Sequence, residues 1–211
     1  AIHPEKDQSY VLYNLTQNDL KRVLLPLGDY TKEEIRELAG NTGLEVEKKK
    51  DSQDICFIPD GDYAKFIREN SDRVSAVGDF VDTTGKVLGK HCGLVNYTLG
   101  QRRGLGISST GRLYVIKKDS KTNSVILGDE NGLYTSEFTV REVNFISGEF
   151  PKSPVRAKVR TRYSSKETDC TLVPESDKIR VLLDTPARAV TNGQSAVFYD
   201  ADTVLGGGII E

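Results

Sequence analysis

The stretch Asp51-Ser-Gln-Asp-Ile-Cys56-Phe-Ile-Pro-Asp60-Gly61 sets one cysteine between apolar residues and a turn, directly after Lys48, Lys49 and Lys50. A thiol in that setting could carry sulfur. Sulfur transfer needs the thiolate, and an ordinary cysteine, with a pKa of about 8.5, is mostly protonated at neutral pH unless cations or a helix N-terminus stabilise the anion. The three lysines can supply such a field. Residues 62–70 read as a short helix, capped by Asp60 or Asp62, whose N-terminal end points back toward the cysteine. The same residues also carry a plainer reading. Cysteine is among the most buried residue types, so Ile55-Cys56-Phe57-Ile58 alone equally describes a core strand. No second catalytic residue stands beside Cys56, and the local pattern leaves both readings open.

A second kind of chemistry is suggested by residues 155–163, Val-Arg-Ala-Lys-Val-Arg-Thr-Arg-Tyr. In a strand, strict alternation puts Arg156, Lys158, Arg160 and Arg162 on one face and Val155, Ala157, Val159 and Tyr163 on the other. Four cations in a row suit a phosphate track; the solvated outer face of an antiparallel sheet explains them as well. Arg102 and Arg103 in Gly100-Gln-Arg-Arg-Gly-Leu-Gly106 form another basic spot, on a glycine-rich turn that lacks the Lys-Ser/Thr ending of a phosphate-binding P-loop. Lys6-Asp7-Gln8 precedes a short helical run. Asp7 can cap that helix, and all three polar groups can also meet a nucleotide.

Three cysteines (Cys56, Cys92, Cys170) and two histidines (His3, His91) are widely spread, with no C-x-x-C pair. Neither a disulfide framework nor a metal site is indicated, since His91-Cys92 has no second cluster to complete a ligand set. The net charge of −2 argues against coating nucleic acid by bulk electrostatics, so any RNA site must be a local patch. With 211 residues, 37% hydrophobic and 28% charged, the chain can bury a real core as one large or two small domains. No run approaches the roughly 18 apolar residues of a membrane helix, and the start lacks the layout of a secretory signal, so a cytoplasmic setting without membrane partners is expected.

The elements that must position these residues change character along the chain. Thr16-Gln-Asn-Asp19 and Thr31-Lys-Glu-Glu34 read as helix starts, the second a capping box. Ile35, Leu38 and Ala39 then share a face before Gly43, and Pro26 and Gly28 separate the two helices. From about Val77 short alternating runs take over. Residues 80–88 and 113–127 each read as a hairpin, and a second β segment runs from near Phe138, with strands at 178–183 and 196–199. Short strands without intervening helices suggest a small barrel or sandwich, and Gly206-Gly207-Gly208 suits a tight barrel closure.

Lys6-Asp-Gln-Ser-Tyr10, Asp51-Ser-Gln-Asp-Ile-Cys56-Phe-Ile58, Tyr97-Thr-Leu-Gly-Gln-Arg-Arg-Gly-Leu-Gly106, Gly193-Gln-Ser-Ala-Val-Phe-Tyr199 and Leu205-Gly-Gly-Gly-Ile-Ile210, in this order along essentially the whole chain, resemble the tRNA-specific 2-thiouridylase family. The resemblance implies an enzyme that uses ATP to activate the C2 carbonyl of the wobble uridine in tRNA and replaces its oxygen with sulfur from a cysteine persulfide. Cys56 matches the persulfide-bearing cysteine. Lys6, Asp7, Gln8, Arg162, Tyr163 and Gln194 match tRNA-contacting positions, whereas Cys92 and Cys170 match no motif and look structural. The family's ATP-pyrophosphatase domain, with its Ser-Gly-Gly-x-Asp-Ser phosphate loop and the partner cysteine that the family's disulfide bond needs, does not occur in these residues. The chain is therefore expected to bind no cofactor itself and to be inactive alone. ATP with magnesium is expected for the full-length enzyme, and the expected partners are tRNA, the missing domain and a persulfide donor such as a cysteine desulfurase or sulfur-relay protein. The expected fold class is α+β, mainly β: a helical tail of the missing domain at 1–27, a central mixed domain at 28–137 carrying Cys56, and a C-terminal six-stranded β-barrel at 138–211.

Overall fold

Asp82 and Asp119 each turn the chain by accepting backbone hydrogen bonds. The Asp82 carboxylate takes the amides of Thr84 (2.8 Å) and Lys86 (3.0 Å), and that of Asp119 takes the amide of Lys121 (2.8 Å). Around these turns form the two hairpins expected from sequence, β1 (Gly78–Val81) with β2 (Val87–His91), and β3 (Tyr114–Asp119) with β4 (Ser124–Gly128). The computed structural model describes residues 7–44, 58, 61–70 and 76–211; the expectations at Lys6, Lys48, Lys49, Lys50 and Cys56 lie outside them. The described residues fall into two units. One lies within Ser52–Thr135 and Ala187–Val190, the other within Ala1–Asp51, Ser136–Pro186 and Thr191–Glu211.

In the first unit the hairpins join through a parallel β1–β4 pairing into a four-stranded sheet of order β2-β1-β4-β3. Its core is Phe80, Tyr97, Leu105, Val115, Val125 and Leu127. The helix read at 62–70 is present as a helix over Tyr63–Asn70, and the Asp62 carboxylate caps it by accepting the amide of Lys65 at 2.8 Å. His91 is buried, with Nδ1 accepting the amide of Gly93 (3.0 Å) and Nε2 placed 3.0 Å from the carbonyl of Asn123. Both ring nitrogens thus serve the fold. Among the described residues no group of metal-ligating side chains assembles.

In the second unit six strands close into a barrel of order β10-β5-β8-β7-β6-β9. They are β5 (Tyr134–Phe145), β6 (Val155–Arg160), β7 (Thr168–Glu175), β8 (Lys178–Arg188), β9 (Ser195–Asp200) and β10 (Thr203–Ile210). Alternation does the sorting: Ile179, Val181 and Leu183 point inward from β8 while Lys178, Arg180 and Leu182 are less buried. Full burial of a side chain such as Ile179 or Val181 contributes roughly 1.5–3 kcal/mol. β9 departs from alternation, because Ala196, Val197, Phe198 and Tyr199 are all buried. Its outer face is covered by α1 (Ser9–Leu12) and the residue after it: Tyr10 and Tyr13 pack on Val197 and Tyr199. That approach requires glycine at 207, where a Cβ would stand 2.8 Å from the Tyr13 ring and 2.5 Å from the carbonyl of Ala196.

Both anticipated helix starts carry capping boxes, Thr16 with Asp19 ahead of α2 (Gln17–Leu20) and Thr31 with Glu34 ahead of α3 (Lys32–Asn41). Between these helices Leu24, Leu25 and Leu27 are largely exposed. The fold class expected from sequence, α+β and mainly β with a closed six-stranded barrel, is the one observed. Among the described residues no helix is long and apolar enough to cross a membrane.

One local expectation is corrected. The basic strand ends at Arg160 rather than running to Tyr163. The Ser165 hydroxyl oxygen accepts the amides of Thr161 and Arg162, both at 3.2 Å, and donates to the carbonyl of Arg162 at 2.9 Å. This side-chain competition replaces the ladder with a turn. Arg162 therefore leaves the row of cations, and Tyr163, expected on the inward face, is exposed.

Candidate nucleic-acid interface

The polar residues singled out at the start of the chain meet the turn after β6. Gln8 Nε2 donates to the Tyr163 hydroxyl at 2.9 Å, and that hydroxyl is 3.3 Å from the carbonyl of Asp7. Tyr10 sets its ring edge-on to Tyr163, with centroids 6.0 Å apart, and donates its hydroxyl to the carbonyl of Ser195 at 2.7 Å. Burial, then the neighbouring Tyr13 and Tyr199, push the Tyr10 phenol up to about 12, so it remains a donor across the physiological range. Tyr13 and Ser195 share a further hydroxyl contact at 3.0 Å. The α1 end is thus fastened to β9 by apolar packing and by hydrogen bonds.

Asp7 has a local job as well as a surface position. Its carboxylate accepts the Ser9 amide (3.1 Å) and the Ser9 hydroxyl (2.6 Å), and lies 3.5 Å from Arg160. Burial resists its ionisation, but the Ser9 hydrogen bonds, helped by the Arg160 charge, outweigh that and hold the carboxyl below its ordinary value.

The basic face of β6 is largely occupied by carboxylates. Arg156 forks onto Asp184, with Nη1 at 2.8 Å and Nη2 at 2.6 Å from the two oxygens. Arg160 reaches Glu167 at 2.8 Å and stacks over the Tyr199 ring at 5.0 Å, and Lys158 is 3.6 Å from Glu167. These three cations form an ion-paired outer face. Arg162, in the turn, directs Nη2 toward the Thr191 hydroxyl at 3.3 Å. Thr191 begins the tight loop that presents Gln194: the Gln194 amide donates to the Thr191 carbonyl (3.2 Å), and the Gln194 carbonyl accepts the amide of Ile210 (2.9 Å). The backbone of Gln194 is thereby pinned to β10, and its side chain is exposed.

Of the residues anticipated from sequence, Asp7, Gln8 and Tyr163 form one hydrogen-bonded group, and Arg162 and Gln194 are linked through Thr191. Lys6 and Cys56 lie outside the described residues. Sequence reasoning missed Thr191, Tyr10 and Ser195, whose partners lie far along the chain and leave no spacing signal. The two described cysteines are free thiols, Cys92 exposed and Cys170 buried in the barrel. Burial pushes the Cys170 thiol up to about 12, which leaves it un-ionised and unreactive at neutral pH.

Comparison with known proteins places the whole chain. Three domain families match in succession: a tRNA methyl transferase HUP domain over residues 1–60, a tRNA methyl transferase PRC-barrel domain over 65–129, and an aminomethyltransferase beta-barrel domain over 135–210. The tRNA-specific 2-thiouridylase MnmA of Acetivibrio thermocellus is 52% identical over all of this chain, which covers 59% of that protein. The MnmA 2 proteins of Caldanaerobacter subterraneus subsp. tengcongensis and Clostridium botulinum strain Hall are 50% and 46% identical, again over all of this chain, and are covered to 58% and 60%. The chain spans about three-fifths of the length of these curated relatives. The order of the three matched domains and an identity near one-half over the whole chain establish that the chain belongs to the tRNA-specific 2-thiouridylase family.

Proposed function

We propose that this chain holds tRNA and carries the sulfur in the conversion of a tRNA uridine to 2-thiouridine. The observation that carries the reading is the convergence on the barrel unit of Asp7, Gln8, Arg162, Tyr163 and Gln194, contributed by three separate stretches of chain. Amide, phenol and guanidinium groups side by side suit ribose hydroxyls, phosphate oxygens and the face of an unstacked base. The names of the relatives support tRNA as the RNA and thiolation as the reaction. Lys6, adjoining this group in sequence, would add a further phosphate contact.

The sulfur role falls to Cys56. As a persulfide, its outer sulfur would attack C2 of a wobble uridine whose oxygen has been activated by ATP. That oxygen leaves with the adenylate. A partner cysteine outside this chain then closes a disulfide with Cys56 as the persulfide S–S bond breaks, leaving sulfur on the base. ATP, with magnesium, would be handled by residues outside this chain. The sulfur would arrive from a separate persulfide donor, such as a cysteine desulfurase or sulfur-relay protein, in the cytoplasm.

The test is Cys56→Ser in the full-length enzyme. Thiolation of tRNA should be abolished while tRNA affinity stays within about two-fold of wild type, because the affinity comes from phosphate and base contacts elsewhere. Retained thiolation would refute the sulfur role and leave a non-catalytic RNA-binding module as the better description.

A further inference from the structure

Residues 101–113 of the sheet unit form a loop that turns its apolar side chains inward and its polar ones outward. Leu105 is buried in the core, with Ile107 and Leu113 packed against it. The loop is pinned at its base, where Gly100 donates its amide to the carbonyl of Val115 (2.8 Å) and Val115 returns its amide to the carbonyl of Gln101 (2.9 Å). The Gln101 side chain braces the turn by donating to the carbonyl of Arg103 at 3.0 Å and accepting the amide of Thr98 at 3.0 Å. The loop encloses an open cleft of about 490 Å³, lined by Arg102, Arg112, Ser108 and Ser109 together with the apolar Leu105, Ile107 and Leu113.

Three observations give this cleft one sign. No carboxylate lines it. Among the described residues neither Arg102 nor Arg112 has an ion pair, whereas Arg156, Lys158 and Arg160 of the barrel unit are all matched to acids. Gly104 and Gly106 have positive φ (73° and 66°), and among the described residues no backbone hydrogen bond uses the amides of 104–109, so donors are left for a ligand. Guanidinium forks, hydroxyls and unclaimed amides are together a phosphate-recognising set.

The geometry points to this cleft as a second RNA-contacting site, which takes a backbone phosphodiester of the RNA between Arg102 and Arg112. The inference rests on the RNA-holding role proposed above and extends it to the sheet unit. It also accounts for the glycine-rich turn in a sequence that is no P-loop. An RNA strand is preferred over a free nucleotide because the cleft is open and is lined by two arginines with no carboxylate, whereas a small-molecule pocket encloses most of its ligand.

The test is tRNA binding by the full-length enzyme between 50 and 300 mM salt, a range chosen to expose counterion release (roughly 0.7–0.9 per phosphate neutralised). Arg102→Ala and Arg112→Ala should each reduce the salt slope by about one ion and affinity by roughly five-fold near 0.15 M salt, and the double variant should lose about two ions. Gly111→Asp provides an independent variant. A Cβ there meets nothing within 4 Å, so the added carboxylate fits and should weaken binding without lowering thermal stability. Inorganic phosphate and ATP should not compete at millimolar concentration. Unchanged slope and affinity in the double variant, with Arg162→Ala still impaired, would overturn this site and leave the proposed function standing. Loss of phosphate or ATP binding without loss of tRNA binding would mark a small-anion site and equally overturn it. Absence of tRNA binding by the wild-type enzyme would sink both.

Discussion

Arg162 and Asp7 show how far single residues can be separated by geometry when composition cannot. Of the four alternating cations at 156–162, three lie on the ion-paired outer face of β6, and Arg162 stands in the turn beside Tyr163 with Nη2 on the Thr191 hydroxyl. Because it adjoins the group proposed to hold RNA, replacing Arg162 with alanine should lower the salt slope of tRNA binding by about one ion, while Arg156→Ala, near the other end of β6, should leave it nearly unchanged; binding isotherms at several salt concentrations decide this. Asp7 has a folded-state pKa held below the ordinary 3.8. The sign follows from linkage: the stabilisation is fully present above about pH 3.8 and is lost as pH falls through the lower folded value. Acid titration followed by tyrosine fluorescence should show α1 loosening in that window, and Asp7→Asn should remove that pH dependence.

At the scale of elements, the contact between α1 and the barrel depends on a missing side chain. Gly207→Ala would force a methyl group against the Tyr13 ring and the carbonyl of Ala196, and should cost roughly 1–3 kcal/mol, as overpacking does. It should weaken tRNA binding beyond its effect on global stability, because the Gln8–Tyr163 contact rides on α1; urea melts and binding on the same samples test this. Hairpins and helix starts were legible in sequence because their signals are local: Asp82 and Asp119 make the turns, and Thr16 and Thr31 make the caps. The end of β6 was not, because the Ser165 hydroxyl that captures two amides is invisible to a period-two pattern. The parallel β1–β4 pairing was also hidden, since nothing local specifies it. At the site, types were readable and partners were not: the Gln8–Tyr163 bond joins residues 155 positions apart.

For the molecule as a whole, a net charge of −2 means that RNA affinity must come from a few unneutralised cations and not from a general field. The total salt slope for the full-length enzyme should therefore reflect roughly three to five phosphate contacts from this chain and not its 29 basic residues; a slope near ten ions attributable to these residues would contradict it. The tyrosine anchor has a further consequence, for biosynthesis. Tyr10 finds its acceptor on Ser195, 185 residues later, and its neighbour Tyr13 needs the bare backbone of Gly207. A ribosome must thus finish β10 before α1 can dock on β9, so a nascent polypeptide stopped short of β10 does not assemble the proposed grip for RNA. Translation itself would delay capture of RNA until β10 has emerged.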